Sequence, residues 1–244
     1  MKIVRYLFTI SYDGSNYYGF QKQTNKISIQ SEVERSLKYM TKNELTIHSA
    51  GRTDKGVHAI NQTFHVDVPF EIVNIPNWIY GLNKRLSSDI IIKDIKQVDE
   101  SFHARKSAKA RVYKYIISKN ELDIFNHRFK VYVKDFNLSL AKEASLKFIG
   151  VKDFIGFSKY TKGKDTIKKI DSIEFHETNE DIIIEIKGIS FLRYMVRSIV
   201  GTIIDVATNK LKLEDIDKVF ETNDRKYAGT TAPAKGLYLD KIIY

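Results

Sequence analysis

The residues best suited to chemistry lie within Ser49–Ala59, which reads Ser-Ala-Gly-Arg-Thr-Asp-Lys-Gly-Val-His-Ala. One carboxylate, Asp54, stands between Arg52 and Lys55 in a polar loop bracketed by Gly51 and Gly56. Carboxylates act as nucleophiles where a covalent intermediate must be formed and then broken. The same loop would also serve as an ordinary turn, with the aspartate bonded to its own backbone. Two other chemistries fit less well. Gly51 and Gly56 have the spacing of a phosphate-cradling loop, but Val57-His58 stands where Lys-Ser/Thr is required. His48, His58 and His65 could suggest a metal, yet strand spacing scatters them, and no second motif of ligands accompanies them.

The flanking pattern dictates how such a loop is held. Leu45–Gly51 and Gln62–Val68 alternate and read as strands, so the loop is a strand junction. Val4–Tyr12 is a further strand, ended by the turn residues Asp13-Gly14-Ser15-Asn16. Tyr17–Gln23 mixes aromatics, amides and a lysine, which suits stacking and phosphate contact in an RNA groove, with a loop whose aromatics cap the core as the alternative. Ser28 is placed to cap a helix burying Ile29, Val33, Leu37 and Met40, with Glu34, Arg35 and Lys38 on the solvated side. Pro76 fits a helical first turn, and Ile90–Val98 a strand.

The second half repeats this alternation. Ser107–Ser118 reads as a strand in which Lys109, Arg111, Tyr113 and Tyr115 share one face. Two cations and two tyrosines would be costly to bury, so this face is expected to be open to a base and its phosphates. Leu140, Ala144 and Phe148 mark a helix that Gly150 can end. Ile170–Phe175 and Ile182–Lys187 read as strands. Phe191, Met195, Ile199 and Ile203 predict a long amphipathic helix with Arg193 and Arg197 on another face. A helix over Leu213–Phe220 and a strand over Leu237–Ile243 close the chain. The order predicts an α+β protein of two halves, residues 1–105 and 106–244, with Phe102-His103-Ala104-Arg105 on the connection.

The 244 residues are 43% hydrophobic with no polar low-complexity tract, which predicts a globular chain. Zero cysteines exclude disulfides and thiolate metal sites and fit a reducing compartment. No apolar run approaches a membrane span, and Met1-Lys-Ile-Val-Arg runs straight into a strand pattern, so a cytoplasmic protein is expected. Forty Lys and Arg against 30 Asp and Glu give a net charge of +10, which favours a polyanionic partner. A Lys-, Asn- and Ile-biased composition alone would produce the same excess.

Six segments, in order, carry a resemblance. Gly51-Arg52-Thr53-Asp54-x-Gly56-Val57-His58 resembles the catalytic motif of the TruA family of tRNA pseudouridine synthases. Tyr12-Asp13-Gly14 through Gln23, Phe102–Arg105 and Arg111-x-Tyr113-x-Tyr115 match further segments. So do Phe191-Leu192-x-x-Met195-Val196-Arg197-x-Ile199-Val200-Gly201 and Ala232-Pro233-Ala234-x-Gly236-Leu237. Lys152 stands before Asp153 where the family often has histidine, and no proline accompanies Ser87-Ser88.

The resemblance implies the pseudouridine-synthase fold, two related halves around an extended, mainly antiparallel sheet with a central cleft. It implies isomerisation of uridine to pseudouridine at positions 38, 39 and 40 of the tRNA anticodon arm, by a cytoplasmic homodimer needing neither cofactor nor metal. Asp54 then matches the catalytic aspartate, with attack at C1′, attack at C6 and removal of the 2′-hydrogen all open to it. Tyr113 matches the tyrosine that packs on the target base. Arg52 matches the residue that fills the space of the flipped nucleotide, and Leu237 would pack beneath the base. Arg197 matches the arginine that pairs with the catalytic carboxylate, opposing its protonation on burial. A paralogue acting on another RNA and a non-catalytic RNA-binding protein are the alternatives. A metal-dependent nuclease is disfavoured because Asp54 has no carboxylate neighbour in sequence.

Overall fold

The computed structural model describes residues 3–159, 163 and 165–244; Met1 and Lys2, the lead-in to the first expected strand, lie outside the described residues. The chain divides into two compact units, Met1–Lys109 with Leu239–Tyr244, and Ala110–Tyr238. Both are mixed α and β built on mainly antiparallel sheet, as the α+β reading predicts.

In the first unit, β1 (Val4–Tyr12) lies between β4 (Ile90–Gln97) and β3 (His58–Val68), and β3 is followed by residues 239–243 of β10 (Leu237–Ile243). Strict alternation drives β1: Val4, Tyr6, Phe8, Ile10 and Tyr12 are all buried, and Phe8 stacks on Phe64 of β3 at 4.9 Å. Helix α1 (Ile29–Thr41) starts at Ser28, whose hydroxyl accepts from the Ser31 N–H, and it buries Ile29, Val33 and Leu37. Glu34 departs from the solvated face expected for it. Its carboxylate accepts from Gln30 Nε2 at 2.8 Å and Lys22 Nζ at 3.1 Å, which satisfies it while only 11% of the side chain is exposed. Helix α2 (Ile75–Asn83) is capped by Asn74.

The expected strand over Leu45–Gly51 shrinks to β2 (His48–Ser49), whereas the next strand begins four residues earlier than its alternation suggested. Pairing of His48 with His65 and Ser49 with Phe64 sets this register. It also brings two of the three histidines together, while His58 stays apart on the Gly14 N–H. His48 stacks on His65 at 4.9 Å and His103 meets His65 edge-on at 4.7 Å. The Ala104 N–H donates to His65 Nδ1, and burial lowers the His65 pKa to about 4, so this ring is neutral at physiological pH. No group of three or more potential metal ligands occurs among the described residues.

In the second unit the strand order is β5 (Ala110–Ser118), β9 (Asp181–Gly188), β8 (Ile167–Glu177) and β7 (Gly150–Asp153), with β6 (Val131–Tyr132) parallel to β5. Helix α3 (Leu138–Leu146) stops before Phe148, and Gly150 opens β7 at φ +100° instead of ending the helix. Helix α4 (Met195–Ala207) begins after Tyr194, which takes φ +63° and breaks the expected continuous turn. Phe191 and Arg193 therefore precede the helix. Helix α5 (Leu213–Thr222) packs Ile216 and Val219 into the core. No helix among the described residues is long and apolar enough to cross a membrane.

Candidate active site

The Asp54 loop is fixed by the segment after β1. Thr53 is buried and its hydroxyl shares a 2.8 Å hydrogen bond with Tyr12 Oη, while the Thr53 carbonyl accepts from the Phe20 N–H at 3.1 Å. The Val57 N–H closes a turn onto the Asp54 carbonyl, with Gly56 at φ +76°. At the far end His58 Nδ1 accepts from the Gly14 N–H at 3.1 Å, and Gln62 Nε2 donates to the Gly51 carbonyl at 2.9 Å. Thr53 and Val57 are thus anchored on either side of a half-exposed Asp54 and an exposed Lys55, with Arg52 exposed just before Thr53.

Two glycines make that approach possible. A Cβ on Gly14 would lie 2.0 Å from the Val57 carbonyl oxygen, and one on Gly19, itself at φ +90°, would lie 2.6 Å from the Thr53 carbonyl oxygen. The Tyr17–Gln23 stretch is accordingly divided between the two roles read for it. Tyr17 and Phe20 are buried, with the Tyr17 hydroxyl donating to Asp89 at 2.6 Å, but Tyr18 is exposed, with Lys55 and Lys26 over its ring at 4.3 and 4.9 Å. Gly19→Ala is expected to cost about 1–3 kcal/mol of stability through backbone strain and to lower turnover further by moving Asp54. Chemical denaturation beside a rate assay on the folded protein checks both effects.

Tyr113, Arg197 and Leu237 belong to the second unit, whereas Arg52 and Asp54 belong to the first. Tyr113 is 8% exposed and meets the Phe191 ring edge-on at 5.2 Å. The open cationic face expected of β5 is not found: Arg111, Tyr113 and Tyr115 are all buried. Backbone carbonyls make this tolerable, because Arg111 donates to Ile189 O and the Tyr115 hydroxyl donates to Pro233 O at 3.0 Å. Burial raises the Tyr115 pKa, so its hydroxyl stays a donor.

Arg197, on the first turn of α4, is joined to the segment that leads to Leu237. Its Nε donates to Ala232 O at 2.7 Å, and its own carbonyl accepts from the Ala232 N–H at 3.0 Å. The guanidinium also lies 5.2 Å from the centre of the Tyr194 ring. Leu237 is 4% exposed and follows a short turn, Ala234–Gly236, in which a Cβ on Gly236 would strike the Tyr115 ring at 2.7 Å. The second unit thus unites Arg197, the 232–237 segment and β5 in one hydrogen-bonded cluster. Phe191 reads as a helix position and as part of a family segment, and nothing in the spacing marks Tyr194; the edge-on ring contact that places Phe191 depends on Tyr113, remote in sequence.

Residues 9–105 and 144–244 match the family model described as tRNA pseudouridine synthase. The chain is 40% identical over 241 residues to tRNA pseudouridine synthase A of Bacillus licheniformis, covering 97% of each sequence. It is 40% identical over 245 residues to the protein of that name from Phytoplasma mali, covering 100% of each, and 41% identical to that from Borrelia hermsii, covering 98% of each.

Proposed function

The chain belongs to the tRNA pseudouridine synthase family, and we propose on that premise that it isomerises uridine to pseudouridine at positions 38, 39 and 40 of the tRNA anticodon arm. The reaction breaks the N1–C1′ bond, turns the uracil and joins C5 to C1′. The C5 proton passes to solvent and N1 gains one, so the product is an isomer and no redox partner is consumed. Such chemistry on a base requires it to be taken out of its stack.

The observation that carries this reading is the display of Asp54 by a loop anchored at both Thr53 and Val57. In the proposed site, which residues 1–105 and 106–244 build jointly, Asp54 is the catalytic carboxylate. Arg52 fills the place of the extruded nucleotide, Tyr113 packs on the target base and is a candidate to help remove the C5 proton, and Leu237 lies beneath it. Arg197 pairs with Asp54 and keeps its carboxylate charged. The protein acts in the cytoplasm as a homodimer with tRNA across both subunits. Nucleotide-resolution mapping of pseudouridine in a deletion strain tests the target. Loss at positions 38–40 supports it, whereas loss confined to another RNA assigns the chain to the paralogue reading.

The +10 charge predicts that tRNA affinity falls steeply with salt, with a log–log slope of roughly −0.7 to −0.9 per phosphate neutralised. Titrating tRNA binding across a salt series checks this. A flat response would contradict it.

A further inference from the structure

The segment 229–232 passes along α4 with almost no clearance. A Cβ on Gly201 would come 1.6 Å from the Thr230 carbonyl oxygen, and one on Gly229 would come 2.6 Å from Thr202 Cα. Apolar interlock does not hold it there on every side. Thr230, Ala232 and Pro233 line a cavity of about 400 Å³, shared with Tyr132, Lys134 and Asp205. On that open side hydrogen bonds, not packing, are the contacts available to the segment.

Those bonds form a ladder. The Gly229 N–H donates to Thr202 Oγ1 at 2.9 Å. Both the N–H and the hydroxyl of Thr230 reach Asp205 Oδ2, at 2.8 and 3.1 Å. The Arg225 guanidinium donates to Ser198 Oγ at 2.9 Å and to Thr231 Oγ1 at 2.6 Å, tying the segment to α4. The last rung is the Ala232 bond to Arg197, after which Tyr115 takes Pro233 O. Asp205 is 5% exposed and has no ion-pair partner among the described residues. Burying a carboxylate is costly unless its lone pairs are used, and here the N–H and hydroxyl of Thr230 donate to it. A helix position serving the core alone would be met more cheaply by an apolar residue.

We propose that Asp205 and Arg225 are positioning residues for the isomerisation. Through Thr230 and Thr231 they fix Ala232, whose carbonyl orients the Arg197 side chain, and they set where Leu237 enters the site. This rests on the reading of Arg197 and Leu237 as site residues. A displacement of the order of 1 Å in a positioning element can cost roughly 10²-fold in rate.

The test compares single-turnover pseudouridine formation at saturating enzyme with tRNA Kd and melting temperature. Asp205→Ala is expected to slow the chemical step at least about tenfold with Kd within about threefold of wild type. Asp205→Asn, whose carboxamide oxygen can still accept from the Thr230 N–H, is expected to recover most of the rate at the same Kd. Arg225→Met alters an exposed residue and carries the test if Asp205→Ala does not fold; its rate is expected to fall at least about threefold. Wild-type rates in folded Asp205→Ala, or in Arg225→Met where the former does not fold, overturn the proposal, as does an Asp205→Asn rate no better than that of the alanine variant. If the wild-type protein itself forms no pseudouridine in tRNA, the functional reading fails and takes this inference with it.

Discussion

Asp54→Asn is expected to lower pseudouridine formation by roughly 10³-fold or more while tRNA affinity stays within about threefold of wild type. The change preserves size and leaves intact the Thr53 and Val57 bonds that hold the loop, because those bonds use main-chain groups, the Asp54 carbonyl among them, and the Thr53 hydroxyl. What it removes is a charged oxygen able to act on the ribose or the base. Binding should survive because affinity for tRNA comes mainly from phosphates meeting cations spread over the surface. Single-turnover rates with excess enzyme, measured beside filter binding, separate the two quantities. A variant retaining substantial turnover would remove Asp54 from the chemistry.

Arg197→Met is expected to slow the reaction by roughly 10²-fold, again with little change in tRNA affinity. Two roles are lost at once: the tether from Nε to Ala232 O and the positive charge proposed to face Asp54. They are separable by pH. In the proposed pairing the guanidinium favours the ionised carboxylate, so its removal would raise the pH at which Asp54 loses its proton. The acidic limb of the rate profile should therefore move to higher pH in Arg197→Met. A profile of unchanged shape with a lower plateau would leave the tether as its contribution. Asp205→Ala disturbs the segment without removing the guanidinium, so it should lower the plateau with less movement of the limb.

Much of the fold is legible because local pattern and tertiary demand agree. Val4–Tyr12 alternates strictly and is β1, and Ile29, Val33 and Leu37 recur at helical spacing behind a serine cap and form the buried face of α1. Where the reading failed, a partner remote in sequence decided. The two-residue β2 owes its length and register to β3, so nothing within residues 45–51 announces that His48 will stack on His65. Phe191 has the spacing to extend α4, but Tyr194 turns left-handed and turns Phe191 toward Tyr113 instead. Charge was taken as exposure along β5. Arg111 and Tyr115 instead bury their polar ends against the carbonyls of Ile189 and Pro233, whose presence no reading of residues 107–118 could supply.

The candidate site divides the same way. Asp54 stands out in the sequence because a carboxylate flanked by cations and glycines is chemically unusual, and the six-segment resemblance gave it a role. Gly14 reads as a turn former and Gly19 as one residue of an aromatic-rich stretch. That they clear the path for Val57 and Thr53 follows from distances of 2.0 and 2.6 Å that become visible once the segments are packed. Asp205 and Arg225 carried no signal at all, since an acidic residue on a helix and an exposed arginine are ordinary surface features.

The most direct measurement uses tRNA transcribed with uridine tritiated at C5 and incubated with the purified protein. Joining C5 to C1′ must expel the label into water, one tritium for each pseudouridine formed. The account predicts tritium release equal to pseudouridine recovered by nucleoside analysis, confined to the anticodon arm, and absent with Asp54→Asn. Wild-type protein that binds the tRNA yet releases no tritium, or an Asp54→Asn variant that releases it as fast as wild type, would contradict it.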